Sequence, residues 1–233
     1  KHLEKNHFFG LEKNPPFLFS QPSLPLLSRT HMDASQEDWL IDRTGKIIEG
    51  PSGNGELFQA FCKNGDIIEK WKKAGVEWVQ ILSIDNPLAD PLDPLFTGYT
   101  ACTGSSFCIK GLYRASHLPL LGVLGRRQGK LSVREYFTIS SQEIGLPYYV
   151  GNMNRFCIPL DMITNLSNLS LPLHPSAKEI FLEEIPFPVW KFERFLFDAL
   201  PYIEKSNVYI DFTQTDYYPL KRREDAHYIN KYM

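Results

Sequence analysis

The sequence predicts an α/β fold, because segments with helical periodicity alternate with short apolar runs that are typical of strands. The run Trp78–Ile84 is dominated by apolar and β-branched residues, which predicts a buried central strand that ends at Asp-Asn-Pro, residues 85–87. Two helical segments precede it, the first starting at Glu56 and the second spanning Asp66–Lys73. Loop, helix and strand therefore make a compact α/β unit around which the rest of the chain is organised.

Later segments predict further elements at suitable spacing for such a fold. Asp90-Pro91 and Asp93-Pro94 predict a helix start, and Gln128-Gly129 predicts the turn of a hairpin between residues 122–124 and 130–139. The strongest helical pattern lies at Trp190–Ile203, with Leu196 and Leu200 in its apolar stripe. Further predictions are a short apolar strand at 16–20, strands at 148–158 and 207–212, and a proline-rich surface loop at 171–188.

Composition excludes several classes of function. The 233 residues are 43% hydrophobic and carry a net charge of -2, so a large core is possible and nothing favours nucleic acid or an anionic membrane as a partner. The longest apolar runs are far too short to span a bilayer. The four cysteines form no CxxC pair, and we expect a soluble, cytoplasmic protein with reduced thiols. HExxH, GxSxG and Walker A motifs are absent from the sequence, which leaves zinc, hydrolase and P-loop chemistry without support.

Two segments place polar groups where a ligand could bind. In open α/β sheets ligands lie beyond the carboxyl ends of the strands, so Asp85 and Asn86 would stand at the rim of a site, where a carboxylate can hold a divalent metal beside a phosphate. The alternative is that residues 85–87 form only a turn. Gly53-Asn54-Gly55 opens a helix, and such glycines let backbone N–H groups approach an anionic ligand. A plain N-cap at Asn54 explains the same residues.

Two single residues are further candidates. Gln21 follows a short apolar segment and offers the donors and acceptor that a planar base edge requires, although a solvated turn is an equal alternative. Lys221 lies beyond the last predicted strand, where it could neutralise a phosphate, and a solvated lysine is the alternative.

The order of these motifs carries more information than any one of them. A Gln after a short strand, GNG before a helix, an Asp-Asn strand end, a Glu-Tyr hairpin, a GN pair, a KxExFxFD segment and a PLK segment follow one another over roughly residues 5–228. This series resembles the eukaryotic-type UDP-N-acetylglucosamine (UDP-N-acetylhexosamine) pyrophosphorylases. The resemblance implies an α/β, Rossmann-like (GT-A-like) mixed sheet flanked by helices, here incomplete at the N-terminus, with a partial catalytic domain at 1–228 and a tail at 229–233.

The resemblance also implies roles for individual residues. On the nucleotide side, Gln21 reads the uracil edge, Asp85 lies near the ribose, phosphate and Mg²⁺, and Lys221 contacts the phosphates, so that Asp85 and Lys221 are the implied catalytic residues. On the sugar side the implied residues are those that line the pocket, bind hydroxyls or pack on the acetyl group: Gly53, Asn54, Gly55, Gly122, Glu135, Tyr136, Asn152, Phe195 and Phe197.

The implied reaction joins UTP and N-acetylglucosamine-1-phosphate to give UDP-N-acetylglucosamine and pyrophosphate. Positioning and charge neutralisation by lysine and Mg²⁺ suffice for such chemistry, so no protein nucleophile is required. Alternatives are a UDP-glucose or broad UDP-sugar pyrophosphorylase, whose members typically show GHGD where this chain has GNGE, or a catalytically inactive nucleotide-sugar-binding or scaffold protein.

Two departures from the family affect these expectations. The Gly-rich loop that cradles the triphosphate is absent from the 233 residues, so we expect the isolated chain not to turn over. Glu56 stands where the family commonly has glycine, which would bring a charge near the sugar pocket.

Overall fold

The computed structural model describes residues 1–13, 15–29, 39–63, 65–113, 121–135, 138–140, 150–213, 215–221 and 225. The strands are β1 Ser23–Pro25, β2 Leu27–Ser28, β3 Glu49–Pro51, β4 Trp78–Ile81, β5 Phe107–Tyr113, β6 Val123–Arg127, β7 Lys130–Arg134, β8 Val150–Pro159, β9 His174–Leu182, β10 Ile185–Glu193 and β11 Ser206–Asp211. The α-helices are α1 His2–Lys5, α2 Leu57–Cys62, α3 Ile67–Lys73, α4 Pro94–Cys102 and α5 Met162–Ser167. In the part of the chain that the structure describes, 3₁₀ helices span His7–Gly10, Asn54–Glu56 and Leu196–Tyr202.

A six-stranded mixed sheet forms the centre of the molecule. Its order is β11-β5-β8-β6-β7, with β4 also paired to β8. β11 runs parallel to β5, and the other pairs are antiparallel. Two smaller antiparallel sheets, β2-β10-β9 and β1-β3, lie outside it. The predicted α/β class with a mixed sheet and flanking helices is therefore confirmed.

Both faces of the central sheet are covered. Because side chains alternate along a strand, Phe107 and Ile109 of β5 share one face, where they pack in a buried cluster with Leu196 and Leu200. Cys108, on the opposite face of β5, packs with Phe96 of α4 and Cys157 of β8. A strand covered on both faces has no solvated side, which explains why six of the seven β5 residues are buried.

Several predicted elements are confirmed. Helix α3 packs Ile67, Ile68 and Trp71 against the core, as its periodicity indicates. Helix α4 begins with the Asp93 side chain accepting a hydrogen bond from the Phe96 N–H at 2.9 Å. Strands β6 and β7 meet at Gln128-Gly129, where both φ angles are positive, at 52° and 79°.

The prediction of a central strand at Trp78–Ile84 is wrong in position and extent. β4 ends at Ile81, all four of its residues are only half-buried, and Ile84 is fully exposed in a turn. Among the described residues β4 pairs with β8 alone, whereas β8 itself pairs with β4, β5 and β6. The apolar composition indicated packed faces, but composition carries no information about how many strands pair along the edges.

Two further predictions are wrong in the segment 171–203. The expected loop at 171–188 contains β9 and the start of β10, which pair over nine residues from Ile185↔Leu182 to Glu193↔His174. The expected helix at 190–203 begins as strand β10 and becomes helical only at Leu196, as a 3₁₀ helix. The apolar strand expected near residues 16–20 has no regular structure.

Some predictions lie outside what the structure tests. The division into 1–228 and 229–233 stays a prediction, since residues 226–233 are not among those described. Among the described residues, no helix has both the length and the apolar character needed to cross a bilayer.

Candidate functional site

The segment Ser52–Gly55 is seated directly on the backbone of Arg194. The Arg194 N–H donates to the Ser52 carbonyl at 2.8 Å, and the Gly55 N–H donates to the Arg194 carbonyl at 2.8 Å. A Cβ atom on Gly53, where φ is 89°, would lie 2.5 Å from the Arg194 carbonyl oxygen. These glycines are therefore required for close approach of two chain segments, which places the residues between them beside the strand β10 and the 3₁₀ helix that follows.

The Asn54 side chain connects two other segments of the chain and does not cap the helix that begins at Asn54. Its Oδ1 accepts from the Leu196 N–H at 2.9 Å, and its Nδ2 donates to Asn154 Oδ1 at 3.3 Å. Asn154 Nδ2 in turn donates to Ser83 Oγ at 2.7 Å. The alternative of a plain N-cap at Asn54 is wrong, since Gly53 occupies the cap position of the 3₁₀ helix. A chain of side-chain amides thus runs from the 3₁₀ helix at Leu196 to the turn beyond β4.

A β-bulge in β8 turns two asparagines into this region. Lys110 pairs with Arg155 but the next residue, Gly111, pairs with Asn152, so β8 carries Met153 and Asn154 as additional residues. Asn154 adopts φ 54°, a left-handed conformation that asparagine tolerates better than most residues. Bulges of this kind re-aim side chains and are common beside active sites.

Asn152 is fixed at the same bulge. Its N–H donates to the Gly122 carbonyl at 2.8 Å, and its Oδ1 accepts from the Asn154 N–H at 2.7 Å. Because the amide oxygen is engaged, the Nδ2 group is the part of this buried side chain that could serve a ligand.

Three titratable side chains lie close together next to Gly122, namely those of Glu135, His174 and Asp198. His174 Nε2 lies 2.8 Å from Asp198 Oδ2, and Glu135 Oε2 lies 3.9 Å from the position of a Cβ on Gly122. Burial raises the pKa of Glu135, the Asp198 charge raises it further, and His174 opposes both. Burial likewise raises the pKa of Asp198 against the effect of His174.

An aromatic pair borders this group. The Phe195 and Phe197 rings are stacked with centroids 5.1 Å apart and an interplanar angle of 13°, and the His174 ring lies 5.1 Å from Phe195. The pair offers an apolar wall beside polar groups, the combination that a sugar with an apolar substituent requires.

Asp85 and Lys221 meet at the turn beyond β4. Lys221 Nζ contacts Asp85 Oδ2, and the Leu220 N–H donates to the Asp85 carbonyl at 2.7 Å. The Lys221 side chain is 68% exposed and the Asp85 side chain 29%, so both can reach a ligand. Residues 84–85 form a turn, as the alternative interpretation predicts, and Asp85 in addition pairs with Lys221.

Asn86 has a different role from the one expected at a ligand rim. Its Nδ2 donates to the Asp216 carbonyl at 2.8 Å, and its Oδ1 accepts from the Tyr218 N–H at 2.9 Å. Both ends of the buried amide are used, so Asn86 holds residues 216–218 and is not a ligand-binding group.

A cluster of five charged side chains lies beneath this turn, and we call it the buried ionic cluster. Its members are Asp93, Lys110, Arg155, Asp211 and Asp216. Lys110 Nζ lies 2.9 Å from Asp93, 3.6 Å from Asp211 and 2.5 Å from Asp216. Arg155 Nη1 lies 2.5 Å from Asp216.

The carboxyls of the buried ionic cluster have unequal proton affinities. Burial works against ionisation of Asp211, but hydrogen bonds with the Asp216 carboxyl and Thr213 lower its pKa to about 2. Burial and the neighbouring Asp211 raise the pKa of Asp216, although Lys110 opposes this. The pKa of Asp93 is lowered, because hydrogen bonds from the Phe96 N–H and from Lys110 outweigh its burial.

Asp211 is expected to make stability depend on pH. A pKa of about 2, below the usual 3.8, means that its ionised form stabilises the fold above the unfolded pKa and that this contribution disappears as the pH falls through the folded value. We expect Asp211→Asn to lower the free energy of unfolding at pH 7, and the gap to wild type to shrink by about 2 kcal/mol towards pH 2. Urea denaturation at pH 7, 4 and 2.5 measures this, and a constant gap would contradict it.

Glu56 does not present a free charge to the site. Its carboxylate accepts from Ser52 Oγ at 2.8 Å and from Arg194 Nη1 at 2.5 Å, and Arg194 Nε donates to the Leu171 carbonyl at 3.0 Å. The negative charge that Glu56 brings in place of glycine is thus neutralised within the protein by Arg194.

Most of the predicted site residues converge. Contacts connect Gly53, Asn54, Gly55, Gly122, Asn152, Phe195 and Phe197, and the bond from Asn154 to Ser83 joins them to the turn that carries Asp85 and Lys221. Glu135 lies beside Gly122. Gln21 is exposed, although its neighbour Pro22 accepts from the Ser52 N–H at 3.0 Å. Tyr136 lies outside the described residues.

Sequence reasoning missed several residues of this region. They are Ser83, Asn154, His174, Arg194, Asp198 and the buried ionic cluster. A second asparagine two positions after Asn152 was a visible signal for Asn154. Asp198 closes the KxExFxFD segment and Asp93 opens a predicted helix, but no local pattern indicates their charged partners or the remaining residues, because those partners are distant in the chain.

A mixed sheet with helices on both faces, and a polar candidate site formed by asparagines, Asp85 and Lys221, define an α/β domain. A sequence profile described as UTP–glucose-1-phosphate uridylyltransferase matches residues 8–157, more than half of the chain. The chain belongs to this family.

Individual proteins resemble this chain in sequence or in fold. UDP-N-acetylhexosamine pyrophosphorylase-like protein 1 from Mus musculus is 28% identical over 244 residues, which covers 97% of this chain and 47% of the mouse protein. A crystal structure assigned as a UDP-N-acetylglucosamine pyrophosphorylase from Entamoeba histolytica has a TM-score of 0.80 at 23% identity, over 96% of this chain and 58% of that one. A UDP-glucose pyrophosphorylase variant from Leishmania major, solved with UDP-glucose, has a TM-score of 0.71 at 17% identity, over 96% and 50% of the two chains. The chain spans about half the length of the relatives it matches.

Proposed function

We propose that this chain binds a uridine diphosphate sugar and carries part of the machinery for uridylyl transfer from UTP to N-acetylglucosamine-1-phosphate. The observation that supports this best is the continuous path of hydrogen bonds from Asn54 through Asn154 and Ser83 to the turn that carries Asp85 and Lys221. Groups suited to a sugar and groups suited to phosphates thus belong to one connected region. Free Cys62, Cys102, Cys108 and Cys157 agree with the cytoplasmic location that we also propose.

The phosphate side of the proposed site depends on Lys221 and Asp85. The exposed ammonium group of Lys221 can neutralise phosphate charge, which favours attack on the α-phosphorus and departure of pyrophosphate. Among the described residues no group of three His, Cys, Asp or Glu side chains could hold a metal. A single carboxylate such as that of Asp85 fits Mg²⁺, because this ion commonly binds through one or two carboxylates together with phosphate oxygens and water. When bound, the ion would neutralise phosphate charge.

The sugar side favours an acetylated amino sugar. The stacked Phe195 and Phe197 rings could pack against an acetyl methyl group, and the Glu135 carboxylate could accept from sugar hydroxyls. Pairing of Glu56 with Arg194 removes one objection to this choice, since the additional carboxylate is neutralised. UDP-glucose is the second candidate, supported by the structural likeness to the Leishmania major enzyme.

Calorimetry with UDP-N-acetylglucosamine, UDP-glucose and UDP tests the proposal. We expect the acetylated sugar nucleotide to bind most tightly, and Lys221→Ala or Asn152→Ala to weaken it about tenfold or more, because each removes one polar contact in the site. Lys205→Ala and Asn165→Ala remove exposed residues of the same types and serve as controls. The proposed site would be refuted if wild type did not bind UDP-N-acetylglucosamine, or if all four variants bound it with the same affinity.

Turnover is a separate measurement. With UTP, Mg²⁺ and N-acetylglucosamine-1-phosphate we expect the 233-residue chain to release no pyrophosphate above background, because the residues described here include no loop that cradles the leaving group. Sugar-nucleotide binding without turnover would support a binding role for the chain by itself, and robust pyrophosphate release would overturn this expectation.

A further inference from the structure

The segment 215–221, which carries Lys221, has neither helix nor strand of its own. Three backbone contacts attach it to the turn beyond β4: the Asn86 side chain bonds to the Asp216 carbonyl and the Tyr218 N–H, and the Leu220 N–H bonds to the Asp85 carbonyl. All three contacts are made to residues 85 and 86. An irregular segment attached only to a turn would be free to move with that turn, so an attachment to the sheet itself would fix its position.

Asp216 supplies that attachment. Its backbone carbonyl faces Asn86, while its side-chain Oδ2 accepts from Lys110 Nζ and Arg155 Nη1, each at 2.5 Å. Both donors belong to adjacent central strands, β5 and β8, and are 4% and 1% exposed. Charge-assisted bonds to such rigid, buried donors fix the position of a carboxylate more strictly than contacts to surface residues can.

The charge balance separates Asp216 from the other carboxyls. The buried ionic cluster contains two cations and three carboxyls, so Asp93 and Asp211 already suffice to balance Lys110 and Arg155. Asp93 caps helix α4, and the Asp211 carboxyl accepts from Thr213. Asp216 is the one member whose own chain segment leads directly to the Asp85–Lys221 pair.

We propose that Asp216 is a positioning residue for Lys221: its carboxyl, bonded to Lys110 and Arg155, fixes residues 216–221 on the Asp85-Asn86 turn and so places the Lys221 ammonium beside Asp85. The assignment of Lys221 to phosphate binding rests on the proposed function, but the placement of the segment does not. Removal of Asp216 should therefore free the segment while the fold, whose buried charges then balance, persists.

Amide hydrogen exchange measured by NMR tests the placement independently of any ligand. In Asp216→Asn we expect the Tyr218 and Leu220 amides to lose about tenfold or more of their protection, because local opening of the segment no longer breaks two charge-assisted bonds. Asp93→Asn is the matched control, since it removes another carboxyl that binds Lys110 but does not touch residues 215–221. Unchanged protection in Asp216→Asn, or an equal loss in Asp93→Asn, would overturn the proposal. If Asp216→Asn does not fold, Asp216→Glu, which keeps the charge but displaces it by one methylene, is tested with the same expectations.

Calorimetry with UDP-N-acetylglucosamine then tests whether the placement acts through Lys221. We expect Asp216→Asn to weaken binding about tenfold, and the double variant with Lys221→Ala to bind no more than about twofold weaker than Lys221→Ala alone, because coupled residues are not additive. Full additivity would show that Asp216 acts independently of Lys221 and would refute the proposal. If wild type binds no nucleotide, the proposed function fails, while the exchange measurement still decides the role of Asp216.

Discussion

Gly53→Ala is expected to lower the free energy of unfolding by about 3 kcal/mol, since it combines backbone strain with a steric conflict. Residue 53 has φ 89°, and its new Cβ would lie 2.5 Å from the carbonyl oxygen and 2.9 Å from the nitrogen of Arg194. Because both obstructing atoms are backbone, no side-chain rotation relieves the overlap. The two segments must separate, which would also break the bonds at Ser52 and Gly55. Urea denaturation at pH 7 measures the loss.

Gly98→Ala is the control for this substitution. Gly98 lies in the exposed part of helix α4, and a Cβ there would meet no atom within 4 Å. Alanine should stabilise the helix by up to about 1 kcal/mol, because it is the better helix former. If Gly53→Ala and Gly98→Ala had the same effect, the close packing of the GNG segment on Arg194 would not contribute to stability.

Lys110→Met is expected to lower the free energy of unfolding by about 3 to 5 kcal/mol at pH 7. The substitution removes one of two cations that face three carboxyls, so buried negative charge stays without a partner. Methionine retains most of the apolar volume, which limits the contribution of a cavity. Lys130→Met, at an exposed position of the β6–β7 hairpin, is the matched control and should change stability little.

The pH dependence of the stability of Lys110→Met distinguishes the effect of the lost charge from the effect of lost packing. As the pH falls towards 3, protonation of the carboxyls removes the uncompensated charge, beginning with Asp216, whose pKa is raised. The difference between Lys110→Met and wild type should therefore narrow on acidification. A difference that did not change with pH would mean that lost packing, and not lost charge, accounts for the destabilisation.

Both large effects concern the support of one site. The GNG segment places Asn54 against Leu196 and Asn154, and the buried ionic cluster supports the segment that carries Lys221. The two supports meet at the turn of residues 83–86, since Ser83 bonds to Asn154 and Asp85 bonds to Lys221. The proposed site, which would receive both a sugar and phosphates, is thus held from two directions by buried polar contacts.

Elements with strong local signals were predicted correctly. Helix α3 has an apolar stripe and a glycine stop, helix α4 has an Asp-Pro start, and the β6–β7 hairpin has Gln-Gly at its turn. Each signal acts within a few residues of the chain, through capping, periodicity or a permitted positive φ. The family resemblance supplied the candidate site residues, and it did so through the order of the motifs along the chain.

The β9–β10 hairpin shows why other elements were not predicted. Its turn is Glu183-Glu184, with φ angles of 51° and 69°, and neither residue is typical of a tight turn. Aromatic residues near helical spacing then predicted a helix at 190–203. Pairing of β10 with β9 and β2 overrides that pattern, because the cross-strand bonds satisfy the backbone over nine residues.

By itself the sequence determined the α/β class, helices α2, α3 and α4, the β6–β7 hairpin, and the polar residues from which a nucleotide-sugar site could be built, because these depend on local chemistry and on order. The tertiary structure alone decided that β8 is the central strand, that Glu56 is neutralised by Arg194, and that Lys110 and Arg155 gather three carboxyls beneath Lys221. The physical reason is separation along the chain. The partners of Asp216 lie 106 and 61 residues away from it, so only the folded sheet brings these charges together.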